Sequence, residues 1–277
     1  MTTSVAPVPF VVEESSVSRA WARAFLRVMD NPGTEISPLV VSIDGFGPGG
    51  EIPEDGAMRA AMDAALVAAG ERWDVETVAF TIFPERYWRM AQGDRAKFFD
   101  LCRRALPRLM AMNPASNRRG LYFGRLVAYG SGPCGGNQLE WVLSQYLGRT
   151  GVRRSMLQAT TFDPARDHVP DAQLGFPCLQ QVSFVPTDDG GLVVNAFYAT
   201  QQLFHRAYGN HLGIAQLGAF MAREMKLRLA RVNITVGIEK LDRPGKTSPH
   251  LVPLTSAARA CLSPAATPAR TGALAVA

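Results

Sequence analysis

Apolar residues recur every three to four positions in some stretches of the chain and crowd into short β-branched runs in others. In "VSRAWARAFLRVMDNPG", Val17, Trp21, Phe25, Leu26 and Met29 share one helical face, and an Asn-Pro-Gly stop follows. "MRAAMDAALVAAGERW" predicts an alanine-rich helix and "DRAKFFDLCRRALPRLMAM" an amphipathic one. "NQLEWVLSQYLGRTG" predicts a helix capped by Asn137, and a long helix is predicted over roughly 203–226. "SPLVVSIDGFGPGG" is a strand running into a glycine-rich turn, and "GLYFGRLVAYGSGPCGG" reads as a strand followed by a loop. "VETVAFTIFP" reads as an apolar strand or a buried helical turn, ended by Pro84.

From residue 151 the texture becomes strand-like in "RRSMLQATTF", "LQQVSFVP", "GLVVNAFYAT" and "RVNITVGIEKLD". "TDDGG" at 187–191 is a hairpin turn between the second and third of these. Residues 1–15 are expected to be an extended or mobile lead-in. After Arg243 the composition turns to Pro, Ala, Ser and Thr, which predicts a largely disordered tail over 244–277. Strand and helix runs do not alternate strictly, so the expected class is α+β, with one domain over 16–243.

The glycine-rich turn lacks a following Lys-Ser/Thr and does not open a helix in GxGxxG order, which excludes a phosphate-loop or dinucleotide site. Apolar residues at 47% and charged residues at 19% fit a packed globular chain rather than a disordered one. The net charge of +5 is carried by scattered arginine clusters, "NRRG", "GVRRS" and "MAREMKLRLARVN", with no dense basic stripe interleaved with aromatics. A small anion suits such a balance as well as a polymer does, and nucleic acid is not the expected partner. The four cysteines are far apart and form no CxxC pair, so no zinc ribbon, thioredoxin motif or other metal site is expected. With no basic leader and no run of 18 apolar residues, the expected address is the cytoplasm, away from membranes.

In "GFPCLQQVSF", Cys178 has two readings: a small residue filling a core, or a nucleophile. Seen alone, Arg153 and Arg154 are a solvated pair, Asn210 is a cap and Glu76 is a salt-bridged structural residue. Their order along the chain changes this. "NQLEWVLSQYLGRTGVRRSM", "FPCLQQVSF" and "GLVVNAFYATQQLFHRAYGN" resemble, in sequence and spacing, thymidylate synthase and its relatives, the pyrimidine nucleotide hydroxymethylases. The likeness is clearest from Asn137 to about Asp242; upstream, "GLYFGR" is similar to the family's Gly-x-x-Tyr-Gly segment and "VETVAF" to the helix carrying its glutamate.

The resemblance implies a mixed β-sheet with flanking helices and a sheet-on-sheet homodimer. It implies that Cys178 adds to C6 of a pyrimidine nucleotide, so that C5 can attack a one-carbon unit from 5,10-methylenetetrahydrofolate. Arg153 and Arg154 would grip the phosphate from the second subunit, Asn210 would read the base edge, and Glu76 would move protons at the ring. Tyr198, Gln202 and Lys240 fall at further substrate positions. There are departures. Leu179 stands where the family has histidine, and Ala199 where it has the arginine aimed at the sulfur. Gln202 replaces the aspartate that anchors the folate pterin, and Lys240 and Asp242 replace a His-x-Tyr pair. Arg206, Lys240 and His205 are candidate replacement charges. The expected activity is folate-dependent methylation or hydroxymethylation at C5. The alternatives are a non-catalytic nucleotide-binding or regulatory relative, and a Cys178 enzyme that uses no folate.

Overall fold

The computed structural model describes residues 9–170 and 177–263. β1 (Phe10–Glu14) comes first, with Val12 turned inward and Glu14 held by Arg19 and Arg23. The end of the expected lead-in is thus a strand; residues 1–8 lie outside the described residues. α1 (Val17–Asp30) starts at Ser16, whose hydroxyl accepts from the Arg19 backbone N–H at 3.1 Å. β2 (Glu35–Ile36), β3 (Leu39–Ile43) and α2 (Gly56–Ala68) follow. "VETVAF" resolves to a helix, α3 (Val75–Phe80), because Asp74 caps it by accepting from Thr77 N–H at 2.7 Å. After α4 (Glu85–Ala91), α5 (Arg95–Met112) and α6 (Pro114–Asn117) comes a second difference. "GLYFGR" opens not a strand but a helix, α7 (Tyr122–Val127). Phe123, Leu126 and Val127 are all buried, a spacing that brings them to one side of a helix but to both sides of a strand.

α8 (Gln138–Gly148) is capped by Asn137 as expected. β4 (Gln158–Thr160), α9 (Pro164–Asp167), β5 (Leu179–Pro186) and β6 (Gly191–Gln202) lead to α10 (Tyr208–Glu224), β7 (Arg228–Lys240) and α11 (Leu251–Leu262). The strands form one mixed sheet in the order β1-β3-β7-β6-β5-β4, with β2 on the end of β7. β1–β3 and β6–β7 are parallel and the other pairs antiparallel. Helices flank this sheet, giving an α+β fold. α10 is buried over most of its length against β6 and β7 on one side and α3 on the other. Gly209 makes that second contact possible: a Cβ there would lie 2.5 Å from Cβ of Val78.

The opposite face of the sheet carries a polar ladder. Asn195 donates to Ser183 (3.3 Å), Asn233 to Asn195 (2.9 Å), Ser42 to Asn233 (2.8 Å) and Arg231 to Ser42 (2.6 Å). Around it Val11 and Phe197 are exposed, at 61% and 41%. Among the described residues no helix is long and apolar enough to cross a membrane.

The disordered tail expected from residue 244 is corrected as far as residue 262. α11 buries Leu251, Leu254 and Ala258 against α1 and α2, and Arg259 pairs with Asp30 at 2.5 Å. The Pro/Ala composition hid a three-to-four spacing that is itself a helix signal. Residues 264–277 lie outside the described residues.

His211 on α10 is fully buried, neither ring nitrogen has a hydrogen-bond partner, and burial pulls its pKa from 6.5 down to about 4. Between those values only the unfolded chain binds the proton. The stability His211 contributes is therefore complete above about pH 6.5 and lost as pH falls. A gap from 6.5 to about 4 corresponds to about 3 kcal/mol. Urea midpoints near pH 7 and pH 4.5 should lie closer together for His211→Leu than for the wild type; an unchanged separation would contradict this origin of acid sensitivity.

Candidate active site

Cys178 sits at the head of β5, half-buried, and its carbonyl accepts from Ala199 N–H at 3.0 Å, which fixes it against β6. Its Sγ lies 3.6 Å from Thr200 Oγ1. Leu179, the residue after it, is fully buried in the core. The segment just ahead, 171–176, lies outside the described residues, and the Phe176 of the quoted loop falls within it.

Three side chains lie near enough to Cys178 to interact with it electrostatically. Tyr122 at the start of α7 meets the backbone of Cys178 and Leu179 through its hydroxyl. Burial, then the nearby charge of Cys178, pushes its ionisation upward, against the pull of those backbone hydrogen bonds and of Arg206. Tyr198 is fully buried, and its ionisation is likewise opposed by burial and by Tyr122, Cys178 and Glu239. Arg206 comes from a single π-helical turn, Leu203–Ala207, that joins β6 to α10. Its guanidinium stacks 4.4 Å from the Trp73 ring. Burial lowers its pKa, while Tyr122, Glu71 and Cys178 act to raise it. The neighbouring His205 pairs with Glu71 at 3.0 Å, and burial holds it below the ordinary histidine value despite that carboxylate. The surroundings of Cys178 thus combine a thiol, a guanidinium and two phenolic hydroxyls held in the protonated form. These are the elements of nucleophilic addition to an electron-poor ring.

Other expected residues are distributed differently. Asn210 lies on α10 one turn after Arg206 and is 4% exposed. Gln202 and Lys240 are exposed, and Lys240 pairs with Glu35 (3.3 Å) and Asp242 (3.4 Å). Their predecessors Gln201 and Glu239, partners in the β6–β7 register, point inward at 3% and 0% exposure. Alternation slips by one residue in both strands after Tyr198 and Val236. There the strands crowd so closely that a Cβ at Gly237 would lie 2.6 Å from the Ala199 carbonyl oxygen. Glu76 is half exposed on α3 and faces Arg59 at 3.6 Å; the carboxylate that acts on Arg206 is Glu71. Arg154 pairs with Asp188 at 3.2 Å in the β5–β6 turn, and Arg153 precedes it on the same exposed corner. The length of β5, about 26 Å, separates that corner from Cys178 of the same chain.

Glu71, Trp73, Gln201 and Glu239 were not legible as site residues. A cavity of about 180 Å³ lined by Leu106, Met110, Arg119, Arg125 and Tyr129 opens on α7 beside Gly124 and does not include Cys178. Comparison of the chain with protein-family models and with curated proteins gave no match.

Proposed function

We propose that the chain activates C5 of a pyrimidine nucleotide by covalent addition of Cys178 to C6, in the manner of the thymidylate synthase family it resembles. The observation that carries this reading is the Arg206 guanidinium, half-buried and near enough to Cys178 for the two to interact electrostatically, in the role of the arginine that Ala199 lacks. Positive charge beside a thiol favours the nucleophilic thiolate. The sulfur lone pair forms the S–C6 bond, and the C5=C6 π electrons move toward the C4 carbonyl oxygen as an enolate. Tyr122 and Tyr198, both held protonated, are hydrogen-bond donors for that oxygen. Asn210 then offers one donor and one acceptor to the base edge. Collapse of the enolate through C5 makes that carbon the attacking atom. It takes up an electrophile, a solvent proton in the exchange reaction, then loses its original hydrogen as a proton, and the thiolate leaves C6 as C5=C6 re-forms.

Arg153 and Arg154 enter this reading across a homodimer. The open sheet face, with its polar ladder and exposed Val11 and Phe197, is the surface for a second copy, which brings their corner to another chain's Cys178. The implied one-carbon donor, methylenetetrahydrofolate, is less well matched. Gln202, exposed at the end of β6, presents a neutral amide in place of a pterin-anchoring carboxylate, and no step here is routed through the folate. Methylation and hydroxymethylation are both consistent with this arrangement.

A 5-fluoropyrimidine nucleotide tests the addition, because the electron-withdrawing fluorine favours attack at C6 and cannot leave C5 as a cation, and an acid quench protonates C5 and holds the adduct on the protein. Intact mass should rise by one nucleotide, with the added mass on the Cys178 peptide. Arg206→Met should slow adduct formation roughly ten- to a hundred-fold. No adduct with uracil or cytosine analogues, while nucleotides still raise Tm, would instead favour the non-catalytic binding reading. That reading draws on the buried Leu179 in place of a histidine.

A further inference from the structure

The paired ends of β6 and β7 hold polar groups that this reaction has not yet used. Gln201 and Glu239 are register partners, and among the described residues neither the amide nor the carboxyl finds a hydrogen-bond partner. Tyr198, three residues earlier on β6, has a hydroxyl with no hydrogen-bond partner among the described residues, and burial first, then its nearness to Tyr122, Cys178 and Glu239, opposes its ionisation. Apolar residues of similar volume would fill this space at lower cost, so packing does not account for a fully buried carboxyl. Gln201 and Glu239 are buried where the alternation of both strands slips, and Glu239 lies near enough to Tyr198 to act on its ionisation.

We infer that Glu239, backed by Gln201, is a positioning residue of the Cys178 site, a buried carboxylic acid that orients the Tyr198 hydroxyl toward the bound ring. This rests on the reading of Cys178 as the nucleophile. A neutral carboxyl has an O–H to donate; a carboxylate only accepts. When Glu239 donates to the Tyr198 oxygen, the tyrosine keeps its own proton for the enolate oxygen. No proton changes owner, and the contact closes when the ring is bound. Burial holds Glu239 well above the usual carboxylate value, which favours the donor form. Around it, β6 presents Tyr198 and Gln201 and β2 presents Ile36, while Lys240 and Glu35 pair with each other at the exposed side.

The test uses the full chain and two variants. Glu239→Leu should raise Tm and leave nucleotide affinity within roughly two-fold, yet lower C5 hydrogen exchange at least roughly ten-fold. Glu239→Gln, with an N–H donor, should keep most of the exchange and abolish the alkaline fall that the wild type shows as Glu239 ionises. Wild-type exchange in the Leu variant, or an unchanged alkaline fall in the Gln variant, would overturn the assignment. Should the wild type show no exchange at all, the reading of Cys178 fails on its own, and alkylation by iodoacetamide then decides the role of Glu239. Followed at the Cys178 peptide, the Gln variant should react faster than the wild type at alkaline pH, where the wild type carries the Glu239 charge; superimposable profiles would overturn the role.

Discussion

Asp167→Ala should cost the fold about 3–5 kcal/mol, measured as a lowered urea midpoint at constant m. Asp167 is fully buried and accepts both terminal nitrogens of Arg125, at 2.7 and 2.8 Å, and the Asp163 backbone N–H at 2.9 Å. Burial acts to raise its carboxyl, but the Arg125 hydrogen bonds outweigh it and hold the group below the usual aspartate value. Removing the aspartate leaves Arg125, 5% exposed, as an uncompensated charge. Arg125 is also what ties α7 down, through the carbonyls of Arg119 and Thr161 and the Tyr129 hydroxyl. Tyr122 stands on the same helix, so the pair steadies the candidate site from behind. Combining Arg125→Met with Asp167→Leu should recover most of the loss, because it is the stranded charge that is costly. A loss under about 1 kcal/mol for Asp167→Ala would show that the pair is solvated after all.

Cys178→Ser should lower C5 chemistry by at least roughly a thousand-fold, because a hydroxyl has no accessible anion to add to C6. Nucleotide affinity should stay within a few-fold, since Arg206, Asn210 and the tyrosines that meet the ligand remain. Mixing this variant with the double variant Arg153→Ala/Arg154→Ala should return part of the activity. A heterodimer holds one pocket with its thiol and both arginines intact. Wild-type activity in the serine variant would remove Cys178 from the mechanism, and no recovery on mixing would confine each pocket to one chain.

Local signals carried much of this arrangement. Asn137 announced α8, "TDDGG" announced the β5–β6 hairpin, and the apolar density of "YGNHLGIAQLGAF" announced α10. What was not legible depends on contacts between distant segments. "GLYFGR" contains too few residues for its period to separate helix from strand, and burial against α5 and α8 decides it. Gln202 and Lys240 were expected at the site from the family resemblance. The crowding of Ala199 against Gly237 shifts both strands by one, and Gln201 and Glu239 take the interior instead. Arg206, Lys240 and His205 were candidate charges, His205 rather as a packing or capping residue, and only the π turn after β6 gives Arg206 its electrostatic contact with Cys178. The stacking partner of Arg206, Trp73, is more than a hundred residues away in sequence, and nothing local marks it.

The most direct measurement of the central claim is release of tritium from C5-labelled uracil and cytosine nucleotides, ribo and deoxy, with and without methylenetetrahydrofolate. Release from one of them by the wild type, absent in Cys178→Ser and weakened in Arg206→Met, is the result this account predicts. It would identify the base and show whether the folate is required. No release from any nucleotide under either condition would contradict the claim that Cys178 activates C5.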